Sequence, residues 1–283
     1  MSATPRILKR VTWDERRVLS LGQATQAELV NARLHCCDLS GRTCRCEVPM
    51  SAPHVCIDLD LSRIQRRHAL RAALTERPAN RPKGLHPAYE DLLNNFVAAD
   101  EVAIDPSDGP IIDELTMLTG KMWARGRRLN VGFLDGSSTQ RSKVQTQAIG
   151  WMTYADITFA FTNTPPYDIR ISFAGGPGSW SAVGTDCFTI TDQTSPTVNL
   201  GWLKADTDDD EYRRVTLHEM GHVLGCIHEH QNPAGGIKWN KPIVYAAYAG
   251  APNYWKTAAV DTNIFQTTIR IRRSTPRSIR SRS

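Results

Sequence analysis

The sequence predicts an α+β fold: a twisted, mixed sheet with helices packed on it. Three observations predict it. Leu129, Val131 and Phe133 alternate as a strand, a polar-capped helical stretch follows, and Ile157, Phe159 and Phe161 alternate again. Further short strand-like runs come next, around Ile169, Ile171 and Phe173 and over 180–185 and 197–202. An acidic run then opens a helical stretch in which Leu217, Met220 and Leu224 can anchor one side in a core.

Size and composition fit this. The chain has 283 residues, 41% hydrophobic and 22% charged, which suits one or two globular domains. It contains no apolar run long enough to span a membrane. Residues 1–17 are polar and basic and do not read as a secretory signal. The net charge is +5, with Arg270, Arg272, Arg273, Arg277, Arg280 and Arg282 close together. Basic patches bind nucleic acid or membrane surfaces. No aromatics interleave here, so a solvated, disordered basic tail over 266–283 is the expectation, with no specific nucleic-acid partner. Nothing in the sequence indicates an oligomeric state.

Residues 1–118 read as an N-terminal region, mainly helical or irregular and partly disordered, either a pro-segment or a packing extension. Thr25 with Glu28 resembles a capping box. Ser62 is placed to cap a second helix, carrying Leu61, Ile64, Leu70 and Leu74. Pro78, Pro82 and Pro87 interrupt regular structure, and Tyr89, Leu92, Leu93, Phe96 and Val97 form another amphipathic face. Cys36, Cys37, Cys44, Cys46 and Cys56 crowd into this region, with Cys187 and Cys226 far away. No C-x-x-C pair occurs, so ordinary thiols or local disulfides are expected. His35 and His54 beside the cluster leave metal binding open.

A clearer domain is expected over 119–265. Asp135-Gly136 ends the first strand, and Ser138 is the expected cap of the next helix, with Val144, Ala148, Trp151 and Ala155 on one face. Pro165-Pro166 turns the chain, and 175–178 is a glycine-rich loop. Asp206, Asp208, Asp209, Asp210 and Glu211 suit the positive end of the following helix and its free amides.

That helix carries the chemistry. Residues 218–229 read H-E-x-x-H-x-x-G-x-x-H-E. Residues four apart share a helix face, so His218 and His222 can aim two imidazoles at one metal ion. Glu219 sits one position round, where a general base belongs. Gly225 lets the chain leave the helix sharply and bring back His228 as a third ligand. Three protein nitrogens with an open fourth position match a catalytic rather than a structural zinc site. His230 can orient these ligands through a hydrogen bond; as a loop residue it needs no role.

The extended motif resembles the metzincin zinc endopeptidases, and within them the astacin-like microbial branch. The likeness runs over about 123–265. It includes Gly178-Ser179-Trp180-Ser181-Ala182-Val183-Gly184, Asn199-Leu200-Gly201-Trp202, and His228-Glu229-His230-Gln231-Asn232-Pro233. The resemblance implies a zincin-like catalytic domain with an active-site helix in an upper subdomain, a smaller lower subdomain after the glycine, and a cleft for extended substrate. It implies His218, His222 and His228 as ligands of one catalytic Zn²⁺. It implies a zinc-dependent metalloendopeptidase, hydrolysing the peptide bonds of a peptide or protein substrate with a zinc-activated water and Glu219 as general base. The edge near 180–184 would pair with the substrate backbone. Glu229 would either meet a freed N-terminus, as in astacins, or hold its own loop. The family is mostly exported, while no export signal is visible.

The pattern also breaks. Metzincins carry a methionine turn beneath the metal, and Met220 is the last methionine in this sequence. Arg280 stands where the turn's methionine is expected, and Tyr245, Tyr248 and Tyr254 come too early to match the tyrosine that follows it in astacins. A truncated lower subdomain is therefore expected. The alternatives are a catalytically weak zinc-binding pseudoenzyme, or a nucleic-acid or membrane-surface binder working through the basic tail.

Overall fold

The computed structural model describes residues 54–57, 59, 61–83, 85, 87–98, 119–176, 178–232, 236–251 and 253–267. By its packing the chain divides into two units, Met1–Pro49 and Met50–Ser283. The first unit, with the expected helix behind Thr25 and the cysteines at 36, 37, 44 and 46, lies outside the described residues. So do the arginines of the tail.

Among the described residues, two helices precede the sheet. Helix α1, Arg63–Glu76, starts where expected: the Ser62 side chain accepts from the Gln65 amide, and the Gln65 side chain accepts from the Ser62 amide. Helix α2, Pro87–Ala98, opens on a proline, whose fixed φ suits a first helical turn. Leu70 and Leu74 of α1 pack with Leu93 and Phe96 of α2. Asn80 ties this pair to the rest. Its side chain donates to the carbonyls of Ala73 (2.9 Å) and Met122 (2.8 Å) and accepts from the Met122 amide (3.1 Å).

The sheet has strands β1 (Arg127–Phe133), β2 (Ile157–Phe161), β3 (Ile169–Ser172), β4 (Trp180–Ser181) and β5 (Val198–Asn199), in the order β2-β1-β3-β5-β4. Four strands run parallel, and β4 pairs antiparallel with β5 at one edge. The mixed α+β architecture is thus as expected. Strand β3 does not alternate: all four of its residues are buried. Arg170 can sit there because its guanidinium donates to the carbonyls of Ser195 (2.6 Å), Ile190 (2.6 Å) and Tyr167 (3.1 Å).

Helix α3, Ser138–Ala148, is capped by Ser137, one residue before the expected Ser138. Only from position 137 does Gln140 fall at the third helical position, where it closes a capping box. Val144 and Ala148 face the core, and Trp151 follows in a 3₁₀ turn, Ile149–Thr153. The strand expected over 180–185 stops after Ser181, and a 3₁₀ turn takes over at Gly184–Thr189. Gly184 has φ +51°, and a Cβ there would lie 1.8 Å from the Lys121 carbonyl oxygen, so the turn needs glycine. Helix α4, Asp209–Val223, packs on α3 and completes the main core with Tyr212, Val215, Met220 and Val223. After it come a 3₁₀ turn (Glu229–Gln231), α5 (Lys241–Ala249), α6 (Thr257–Val260) and a π-helical turn (Asp261–Phe265).

Candidate metal centre

Helix α4 is fixed at both ends and on two flanks. Asp208 caps it by accepting from the Asp210 amide at 2.8 Å. Asp209, Asp210 and Glu211 fill its first turn, where the helix dipole favours negative charge. Lys143 pairs with Asp209 (2.8 Å), while Glu211 accepts from Arg214 (2.7 Å twice) and the Trp202 indole (2.8 Å). Two further indoles donate to main-chain carbonyls of α4: Trp123 to Val223 (2.7 Å) and Trp151 to Leu217 (3.0 Å). At the far end the Gly225 amide donates to the His222 carbonyl (2.8 Å) and the Cys226 amide to that of Gly221 (3.0 Å). Gly225 has φ +96°. This is the Schellman arrangement that ends helices on a left-handed residue, and it turns the chain back as the motif requires.

The turn brings the three histidines together. Their Nε2 atoms form a triangle with edges of 3.1 Å (His218–His222), 3.2 Å (His222–His228) and 3.2 Å (His218–His228). Tetrahedral ligands at about 2.05 Å from a zinc ion lie about 3.3 Å apart. The nitrogens therefore fit a small tetrahedral cation. The tautomer of His222 fits as well: its Nδ1 lies 2.8 Å from the Cys226 carbonyl and can only donate to it, which leaves Nε2 a lone pair.

Glu219 lies beside this triangle and is 1% exposed. Its Oε2 accepts from the Ser181 hydroxyl at 2.9 Å and from the Cys56 thiol at 3.6 Å. Burial pushes its carboxyl up to about 7, against the pull of the Ser181 and Cys56 hydrogen bonds. Edge strand β4 thus supplies a partner for the carboxylate.

The sequence reading has three ligands; the structure places a fourth metal-ligating side chain beside them. Cys56 Sγ and the three histidine nitrogens all lie within 4.8 Å of one another. Among the described residues this is the grouping of His, Cys and acidic side chains able to hold a metal; the acidic run at 206–211 forms none. Cys56 reaches the site on an extended segment laid along β4. The segment makes a parallel bridge to Ser179, and the Ile57 amide donates to the Ser179 carbonyl at 2.9 Å. Gly178 permits the approach, since a Cβ there would lie 2.8 Å from the Val55 carbonyl oxygen and 2.6 Å from Ile57 Cδ1. His54 stacks on Trp202, with ring centroids 4.8 Å apart and planes 13° apart. Leu59 packs against the main core.

All four residues singled out from the motif, His218, Glu219, His222 and His228, therefore meet in one place. Cys56 and Ser181 were missed as site residues. Neither sits in a spacing pattern with the histidines, and only the fold brings them there. Glu229 holds its own loop, accepting from the Asn232 side chain at 2.9 Å.

No family model matches the chain, and no curated protein does. Solved structures do. A structure of myroilysin shares 44% identity over 52% of this chain and 71% of its own, with a TM-score of 0.50. A crystal structure of myroilysin shares 42% identity over 55% of this chain and 69% of its own, with a TM-score of 0.43. The chain belongs to the same protein family as myroilysin, a metalloprotease.

Proposed function

We propose that this chain is a zinc-dependent endopeptidase of astacin-like type, held latent by Cys56. The observation that carries the reading is the convergence of three imidazole nitrogens beside a buried carboxylate. His218, His222 and His228 hold the ion, and Glu219 is the general base. Zinc, when bound, supplies a Lewis acid that polarises the substrate carbonyl and acidifies a water. Glu219 takes a proton from the attacking water and hands it to the departing amine. A carboxylate beside the ion is placed for both tasks. Ser181 holds the carboxylate in place. The edge of β4 would pair with a peptide substrate, backbone to backbone. In the folded chain the segment around Cys56 lies there instead, so substrate reaches the site once that segment leaves.

The experiment combines metal analysis of the purified chain with hydrolysis of casein and a quenched peptide. Parent, Cys56→Ala and Glu219→Gln within the Cys56→Ala background are compared. Expected are one bound zinc in each, more hydrolysis for Cys56→Ala than for the parent, and a fall of about 10²–10⁴-fold on adding Glu219→Gln. A chain without bound metal, or equal hydrolysis with and without Glu219→Gln, overturns the peptidase reading. The alternative is a catalytically weak zinc-binding pseudoenzyme. Full zinc occupancy without hydrolysis in Cys56→Ala is the result that reading expects.

A further inference from the structure

The three histidines are not held alike. His218 and His222 stand on a four-turn helix, while His228 stands beyond Gly225 at the start of the short 3₁₀ turn Glu229–Gln231. An aromatic ladder backs it. The His230 ring lies against the His228 ring, with centroids 4.9 Å apart and planes 21° apart. His230 Nε2 donates to the Asn263 carbonyl at 3.0 Å, since a carbonyl can only accept. Trp239 meets His230 edge-on at 6.3 Å, and Phe265 meets Trp239 at 5.7 Å. Lys241 Nζ sits 4.7 Å from the centre of the Phe265 ring. Asn263 and Phe265 both belong to the π-helical turn Asp261–Phe265, which is closed by the Gln266 amide donating to the Asp261 carbonyl at 2.8 Å. Short π-helical turns are rare and recur at functional sites.

We propose that His230 is a positioning residue for the third metal ligand, and that the π-helical turn Asp261–Phe265 is its anchor. This rests on reading His218, His222 and His228 as metal ligands. Stacking restricts the tilt of the His228 ring, and the hydrogen bond to Asn263 restricts His230 in turn. The ladder thus carries the order of residues 257–265 to the ligand least constrained by its own backbone. Groups that orient ligands in this way typically change metal affinity about 10–100-fold when removed.

The test uses the full chain with His230→Ala, His230→Phe and His230→Gln. Phe keeps a ring for the stack without a donor, and Gln keeps a donor without the ring. Zinc affinity is read by competition with a chromophoric chelator, and ligand geometry by the visible absorption of the cobalt-substituted protein. Expected are a loss of about 10–100-fold for Ala with altered cobalt bands, and smaller losses for Phe and Gln. An Ala variant within about twofold of the parent, with the parent's cobalt spectrum, overturns the proposal. If Ala fails to fold by circular dichroism, Phe and Gln decide: both within about twofold of the parent overturn it. A parent that binds no zinc removes the proposal together with the reading beneath it. A parent that binds zinc, with variants that bind equally, removes the proposal alone.

Discussion

His218 and His222 differ from His228 in what holds them, although all three ring nitrogens lie within 3.2 Å of each other. The first two inherit their positions from local rules: an acidic cap, a helix period, a buried face of Tyr212, Val215, Met220 and Val223. The third depends on partners far away in sequence. Gly225 turns the chain, the segment at Lys121 and Met122 stands behind that turn, and His230 ties the loop to residue 263. The helix-borne half of the site is therefore a consequence of the core. The loop-borne half is a separate construction, and damage to it should appear in metal binding before it appears in the helix.

The largest expected effect on that construction is at Lys121. Its ammonium pairs with the buried carboxylate of Asp186, and its carbonyl accepts from the Thr185 amide and lies against Gly225. Lys121→Met leaves Asp186 buried without its cation, which costs about 3 kcal/mol, the low end for a buried pair because Lys121 is partly open to water. Burial pushes the Asp186 carboxyl above its ordinary value, and Lys121 holds that rise back. The folded state thus keeps this proton more tightly than the unfolded chain does. Stability from this group is full below the unfolded value of about 3.9 and declines as pH rises through the folded value. With Met at 121 the rise is unopposed, so the decline is larger and runs to higher pH. Urea unfolding at about pH 4 and about pH 8 checks this, and an equal loss at both removes the electrostatic account.

Gly225→Ala comes next. A side chain at φ +96° is strained, and its Cβ would lie 3.0 Å from the Lys121 carbonyl oxygen and from Met122 Sδ. About 2 kcal/mol of stability is expected to go, since left-handed backbone costs an L-residue roughly 1–2 kcal/mol before any contact is counted. The sharper expectation concerns the comparison itself. Zinc affinity should fall while the helical circular dichroism of the folded protein stays, because His228 moves and α4 does not. An unchanged affinity would mean that the loop half tolerates a different exit from the helix.

How much of this was readable beforehand follows the same division. The Ser62 cap, the strands around Leu129 and Phe159, and the motif helix rest on residues three or four apart or on simple alternation, so the sequence displays them. The cap of α3 shifted by one because two adjacent serines offer the same hydroxyl, and only Gln140 decides between them. Strand β4 proved shorter than its apolar pattern, because Gly184 bends the chain against the Lys121 carbonyl, a neighbour 63 positions earlier. Cys56 lies 163 positions from Glu219 and Ser181 lies 38 away, so no local period could join them to the motif. His230 left two readings open, and the choice between them depended on where the carbonyl of Asn263 would stand.

The smallest expected effect sharpens the comparison from the helix side. Trp151 is half-buried against the core, and its Nε1 donates to the Leu217 carbonyl at 3.0 Å, one residue before His218. Trp151→Phe keeps most of the apolar contact and removes that hydrogen bond, for a loss of about 1 kcal/mol. If the helix-borne ligands are set by the whole helix and its core, one lost flank bond lowers the melting temperature and leaves zinc affinity where it was. Measured beside His230→Ala, this variant should move stability more than affinity, and His230→Ala the reverse. Should Trp151→Phe instead weaken zinc as much as His230→Ala does, the two halves of the site are one coupled unit, and the third ligand needs no support of its own.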